Sequence, residues 1–213
     1  MTAPELTFAM IDLAGYTALT EAHGDEHAAD MATRFADPTR DSLSSDDQLV
    51  KCIGDAVLLA SPSPTAGLAL VGRILERCQE VEQFLTTRTG LHHGSAIRRG
   101  DDYFGAAVNL TARIAAHAAG GQVLSTASVA EAAIRAGIEA TALGRAAFKN
   151  VGEPVDLFEV NLGAPALESI DPVCRMRVDH AAAAGYLRIN GAAYWFCSLE
   201  CASRFLRDEL DRP

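Results

Sequence analysis

The stretch LVKCIGDAVLLA (49–60) decides the fold. Two short apolar runs flank Gly54-Asp55, a dipeptide that favours a tight hairpin turn, so two antiparallel strands are predicted. Ahead of them, LTFAMIDL (6–13) is dense in apolar and β-favouring residues and predicts a buried strand. Between, Thr17 to Phe35 has helical spacing, with Leu19, Ala28, Met31 and Phe35 apolar, and Pro38 is expected to end or kink that helix. After the hairpin, residues 64–84 predict a helix with Leu68, Val71, Ile74, Leu75, Cys78 and Val81 on one side. TGLHHGSAIRRG (89–100) predicts another strand. The order β-α-β-β-α-β is the ferredoxin-like, split βαβ arrangement of an α+β fold. Additions follow it: a helix over 105–118, a strand over 120–126, a helix over 127–136, and closing strands in ALGRAAFKN (142–150) and VDLFEVN (155–161).

At 213 residues the chain is long for one compact domain and short for two full ones, which suits a main domain with a small module. LGAPALES (162–169) lacks periodicity, so the expected division is 1–162, a linker at 163–169, and a module at 170–213. The net charge of −10, with no basic stripe, argues against nucleic acid or an anionic membrane surface as a partner. No apolar run approaches the ~20 residues needed to span a bilayer. MTAPELTFAM has neither a basic leader nor an apolar signal core, so a cytoplasmic location is expected. Neither GxxxxGK[ST] nor a post-strand GxGxxG is present, which removes P-loop ATPase and dehydrogenase readings.

Asp12 ends the first strand and Asp55 sits in the hairpin turn, so a ferredoxin-like sheet brings both carboxylates toward one point. Paired carboxylates with substrate phosphates are a usual way to hold Mg²⁺ or Mn²⁺. The amides of Leu13, Ala14, Gly15 and Tyr16, at a helix start, are placed to take phosphate oxygens. Taken singly, a strand-end Asp is usually a cap or a solvated turn residue, so the weight rests on the set. His92 and His93 lack a third ligand nearby and are expected in the core or an interface, and Cys52 is expected as a packed small hydrophobe.

DLAGYTALTEAHGDE, VKCIGDAVL, GLHHGSA, DYFGAAVNLTARI, GGQVLST and FKNVGEPVDLFEV occur in this order over roughly residues 5–161. This text resembles the class III adenylate/guanylate cyclase catalytic domain. The resemblance implies two divalent metals on Asp12 and Asp55, adenine contacts from Lys51 and Asp102, a ribose contact from Asn109, and transition-state charge stabilisation by Arg113. Lys149 is its candidate for holding the triphosphate, with Arg98 or Arg99 as alternatives. It further implies ATP as substrate and a homodimer in which each site draws on both subunits. An Asp acceptor suits the adenine amino group and a Lys donor suits a ring nitrogen. The alternatives are a guanylate cyclase, or a cyclase-like domain that only dimerises or binds nucleotide in a metal-sensing protein.

Of five cysteines, Cys174, Cys197 and Cys201 fall in the tail, where an odd count points to metal or thiol chemistry rather than a disulfide framework. Cys197 and Cys201 lie one helical turn apart on one face, and Cys174 precedes them by a loop. YLRING and AAYWFC predict a hairpin about Asn190-Gly191. The tail resembles the YHS domain, a treble-clef-like module related to the TRASH motif, with Arg175 where that pattern carries glycine. A soft metal such as Zn²⁺ is expected on the three cysteines, with His180, Asp171 or solvent as fourth ligand.

Overall fold

The computed structural model describes residues 4–163 and 169–210. Five of the seven residues assigned to the linker, 164–168, lie outside them. β1 (Glu5–Leu13) is followed by α1 (Tyr16–Asp41), the hairpin β2 (Gln48–Ile53) and β3 (Ala56–Ser61), α2 (Pro64–Gln79) and β4 (Thr87–Ser95). Next come β5 (Ile97–Arg99), β6 (Asp102–Phe104), α3 (Ala106–His117), β7 (Val123–Thr126), α4 (Ala127–Arg135), β8 (Ala140–Ala146) and β9 (Val155–Val160). The tail holds β10 (Ser169–Ile170), β11 (Arg177–Val178), β12 (Gly185–Ile189), β13 (Ala192–Phe196) and α5 (Leu199–Leu210).

The main sheet runs β2-β3-β1-β4-β7-β9-β8. Its first four strands are mutually antiparallel, which is the split βαβ order, and β4–β7 is the parallel pair that α3 connects. Alternation along β1 sorts its side chains. Ala9, Ile11 and Leu13 join Phe35, Leu70 and Ile74 in the core under α1, α2 and α4. Phe8 and Met10 join Leu58, Ala60, Tyr103 and Ala107 on the opposite face, under α3. A Cβ at Gly90 would lie 2.3 Å from the Ala115 nitrogen, so only glycine lets α3 seat this close to β4. The tail continues the first core: Cys174, Met176, Phe196, Cys201 and Phe205 belong to the same apolar cluster.

Three expected elements differ. The first helix continues past Pro38 and is broken instead at Gly24 (φ 85°, ψ 169°), a conformation open to glycine. Pro38 falls in the last turn, and the helix runs on to Asp41 without the bond a Pro38 N–H would have made to the Arg34 carbonyl. α2 stops at Gln79 rather than 84 because Arg177 of the tail donates to the Cys78 and Val81 carbonyls, satisfying the helix end. The strand expected over 89–100 is two strands, parted at Ala96, whose N–H turns to the Pro4 carbonyl.

Candidate active site

Asp12 follows Phe8 and Met10 in the alternation, so it lies on the α3 face at the end of β1. Its register partner on β4 is Arg88, whose Nε donates to Asp12 Oδ2 at 2.6 Å; a second guanidinium nitrogen pairs with the same oxygen. Gly54 (φ 61°) begins the two-residue turn of the β2–β3 hairpin and Asp55 completes it. The Leu13 N–H donates to the Asp55 carbonyl at 3.3 Å, tying the two acid-bearing segments together. Burial, then the charge of Asp12, pushes the Asp55 carboxyl up to about 6. A carboxylate whose proton affinity is raised by a second carboxylate beside it fits a cation site, and Arg88 offsets only part of that charge. Sequence reasoning missed Arg88; its position opposite Asp12 follows only from the β1–β4 register.

The phosphate-loop reading needs correction. The amides of Leu13 and Ala14 are already donated, to Asp55 and to Thr86 (2.8 Å), because both residues still belong to the strand framework. Gly15 (φ 95°) turns the chain into α1, leaving its own amide and that of Tyr16 at the helix start.

Lys51 reaches the same face through a β-bulge. Leu49 opposes Leu59, yet Lys51 opposes Leu58, so Val50 is the extra residue. Strict alternation would have put Lys51 beside Leu49 on the helical side; the bulge turns it to the α3 side. There Lys51 Nζ donates to Asp102 Oδ2 at 2.7 Å and sits 5.7 Å from the Phe104 ring centroid. The Lys51 hydrogen bond, aided by the Tyr103 N–H, holds the Asp102 carboxyl below its ordinary range. Asp102 is presented by β6, a strand that was not anticipated.

On α3, Ala107, Thr111, Ile114 and Ala115 pack inward, while Asn109 is exposed and Arg113 half-buried one turn further on. Neither side chain has a hydrogen bond or ion pair among the described residues. Lys149 is exposed in the β8–β9 turn, beside Phe148, whose ring meets that of His117 at 5.6 Å. Thus Asp12, Asp55 and Arg88 meet at one point and Lys51 and Asp102 at another. Asn109, Arg113 and Lys149 join neither group within this chain. His92 and His93 bond to Thr126 (2.9 Å) and Thr7 (3.0 Å). Cys52 is exposed, not packed as expected, because β2 is the sheet edge. Arg98 is paired weakly with Asp101 (3.8 Å) on the β5–β6 hairpin.

In the tail, Cys174 Sγ lies 3.4 Å from Cys197 Sγ, which lies 3.7 Å from Cys201 Sγ. Burial leads in pushing the Cys201 thiol up to about 12. The expected fourth ligands are engaged elsewhere. Asp171 Oδ1 accepts from the Val173 and Cys174 amides and Oδ2 from the Cys197 amide. His180 stacks on Trp195 at 3.8 Å and bonds Ser169 Oγ at 2.7 Å.

The chain belongs to the adenylate and guanylate cyclase catalytic domain family, whose model matches residues 2–160. It is 34% identical over 166 residues to a "pH-sensitive adenylate cyclase" of Mycobacterium tuberculosis, covering 76% of this chain and 42% of that protein. An "Adenylate cyclase" of Streptomyces griseus is 30% identical over 135 residues, covering 63% of this chain and 33% of its own length. The chain thus spans less than half the length of these curated relatives. Adenylate cyclases of Trypanosoma brucei solved "in their monomeric state" share the fold, with a TM-score of 0.69 at 23% identity, over 84% of this chain and 99% of that one. No helix among the described residues is long and apolar enough to cross a membrane.

Proposed function

We propose that this chain is an adenylate cyclase acting in the cytoplasm, converting ATP to 3′,5′-cyclic AMP and pyrophosphate at the interface of a homodimer. The observation that carries the reading is the split of the site: the acid pair and the Lys51–Asp102 pair are preformed, whereas Asn109 and Arg113 have no partner among the described residues. Asp12 and Asp55 would hold two Mg²⁺ or Mn²⁺ ions, which supply activation of the 3′-hydroxyl and neutralisation of the triphosphate. The amides of Gly15 and Tyr16 bind phosphate oxygens at the helix start. Lys51 donates to a ring nitrogen of adenine and Asp102 accepts from its amino group. Asn109 orients the ribose. Arg113 places its cation against the charge that develops at the α-phosphate, and Lys149 holds the leaving pyrophosphate. Residues 1–162 form the catalytic domain, joined through 163–169 to a treble-clef-like YHS module at 170–213 whose cysteines bind a soft metal such as Zn²⁺.

Complementation tests the shared site. Asp12→Ala and Arg113→Ala are each expected to be inactive alone. Mixed in equal amounts and allowed to exchange subunits, they should recover about a quarter of wild-type turnover, since about half the dimers are mixed and each of those has one intact site. No recovery from a mixture shown to contain mixed dimers would refute the two-subunit site.

A further inference from the structure

We propose that His23, on the first helix of the cyclase domain, is the fourth ligand of the tail cysteines, so that one zinc-class ion staples the module to the catalytic domain. This rests on the reading of Cys174, Cys197 and Cys201 as ligands and goes beyond it. His23 Nε2 lies 3.6 Å from Cys197 Sγ and 3.5 Å from Cys201 Sγ, and all four donor atoms fall within 4.8 Å of one another. A tetrahedral Zn²⁺ with Zn–S near 2.3 Å and Zn–N near 2.0 Å sets S···S at about 3.8 Å and S···N at about 3.5 Å. Four of the six separations, at 3.4 to 3.7 Å, match that tetrahedron and the other two lie within 4.8 Å. The Cys174–Cys197 and Cys197–Cys201 distances are far too long for disulfides.

The surroundings are built around these four atoms. Asp171, fully buried, holds the backbone on both sides through its bonds to the Cys174 and Cys197 amides. Ser198 Oγ accepts from the Cys201 amide and caps α5 at the third tail cysteine. The helix break at Gly24 falls immediately after His23, so His23 ends a short helical segment that starts at Tyr16. His27, whose ring centroid is 5.1 Å away, does not belong to the cluster.

The staple bears on the catalytic loop. Arg175, next to Cys174, is left-handed (φ 68°), and its side chain covers Gly15: a Cβ there would meet Arg175 Cβ at 2.4 Å and Cγ at 2.7 Å. Gly15 lies between Asp12 and His23, so ligands of the ion flank the loop–tail contact on both strands of chain. The departure from glycine at 175 therefore places side-chain bulk on the turn that presents Asp12.

The test uses the full chain with its thiols reduced. Metal content, zinc affinity by chelator competition, and the spectrum after cobalt(II) replacement are measured for wild type, Cys174→Ser, His23→Ala and His23→Cys. Wild type is expected to hold one ion per chain with a thiolate-rich tetrahedral cobalt spectrum. Outer-shell changes at metal sites already cost about 10- to 100-fold in affinity, so His23→Ala should lose at least that and change the spectrum, and His23→Cys should restore tight binding. Removing the ion from wild type should speed amide exchange both at Ala14 and at Arg177. Wild-type affinity and spectrum in His23→Ala, with binding lost in Cys174→Ser, would overturn the staple and leave a tail-only site. No ion on the wild-type chain would overturn both readings.

Discussion

Asp55→Asn removes a carboxylate that the fold holds at a cost. In the folded chain this carboxyl is raised from 3.8 to about 6, by burial first and by Asp12 next. The folded state therefore binds more protons than the unfolded state between those values. Stability falls as pH rises through that window, and the full cost is present above about pH 6. At about 1.4 kcal/mol per pH unit the difference corresponds to about 3 kcal/mol. Asp55 is only partly buried, and solvent screening reduces this to about 1–2 kcal/mol. Without added Mg²⁺ or Mn²⁺ at pH 8, Asp55→Asn is expected to melt higher, by about 2–4 °C per kcal/mol in a chain of this size. The gain should vanish by pH 4, where the wild-type carboxyl is protonated in the fold. Adding Mn²⁺ at pH 8 should reverse the ranking, because the wild type gains binding energy that the variant lacks. Thermal melts across pH, with and without Mn²⁺, measure all three. A variant less stable than wild type at pH 8 without divalent ions, or a gain that ignores pH, would refute the charge-repulsion argument.

Gly90→Ala places a methyl 2.3 Å from the Ala115 nitrogen and 2.7 Å from the Thr111 carbonyl, both backbone, so α3 must shift. A loss of about 2–4 kcal/mol in denaturant unfolding is expected, together with a fall in turnover, since Asn109 and Arg113 ride on that helix. Lys51→Glu combined with Asp102→Cys replaces the donor and acceptor that suit adenine. The ratio of kcat/KM for ATP over GTP should fall by about 10-fold or more, and an unchanged ratio would detach this pair from base recognition.

The βαββαβ order could be read because each element carries its own period: apolar runs on either side of Gly54-Asp55, and helical spacing at Leu68, Val71 and Ile74. What escaped are features set by neighbours rather than by local pattern. The bulge at Val50, which turns Lys51 to the α3 face, depends on how β2 registers against β3. Arg88 acquires meaning only when β4 pairs with β1 opposite Asp12. Pro38 looked like the breaker of the first helix, yet the helix runs past it to Asp41, whereas Gly24 breaks it beside a ligand candidate. His23 was invisible as a partner of Cys197 because 174 residues separate them. Only the docking of the tail on the helical layer brings the imidazole to the thiols. The amides of Leu13 and Ala14 looked available because their acceptors, Asp55 and Thr86, come from distant segments.

The central claim is tested most directly by measuring cyclic AMP formed from ATP by the purified full chain with Mn²⁺ or Mg²⁺, beside Asp12→Ala. The expected result is metal-dependent product from wild type and background from the variant, with both proteins equally folded. Absence of product from a verified dimer with either ion, or equal product from Asp12→Ala, would contradict the assignment of this chain as an adenylate cyclase working through Asp12.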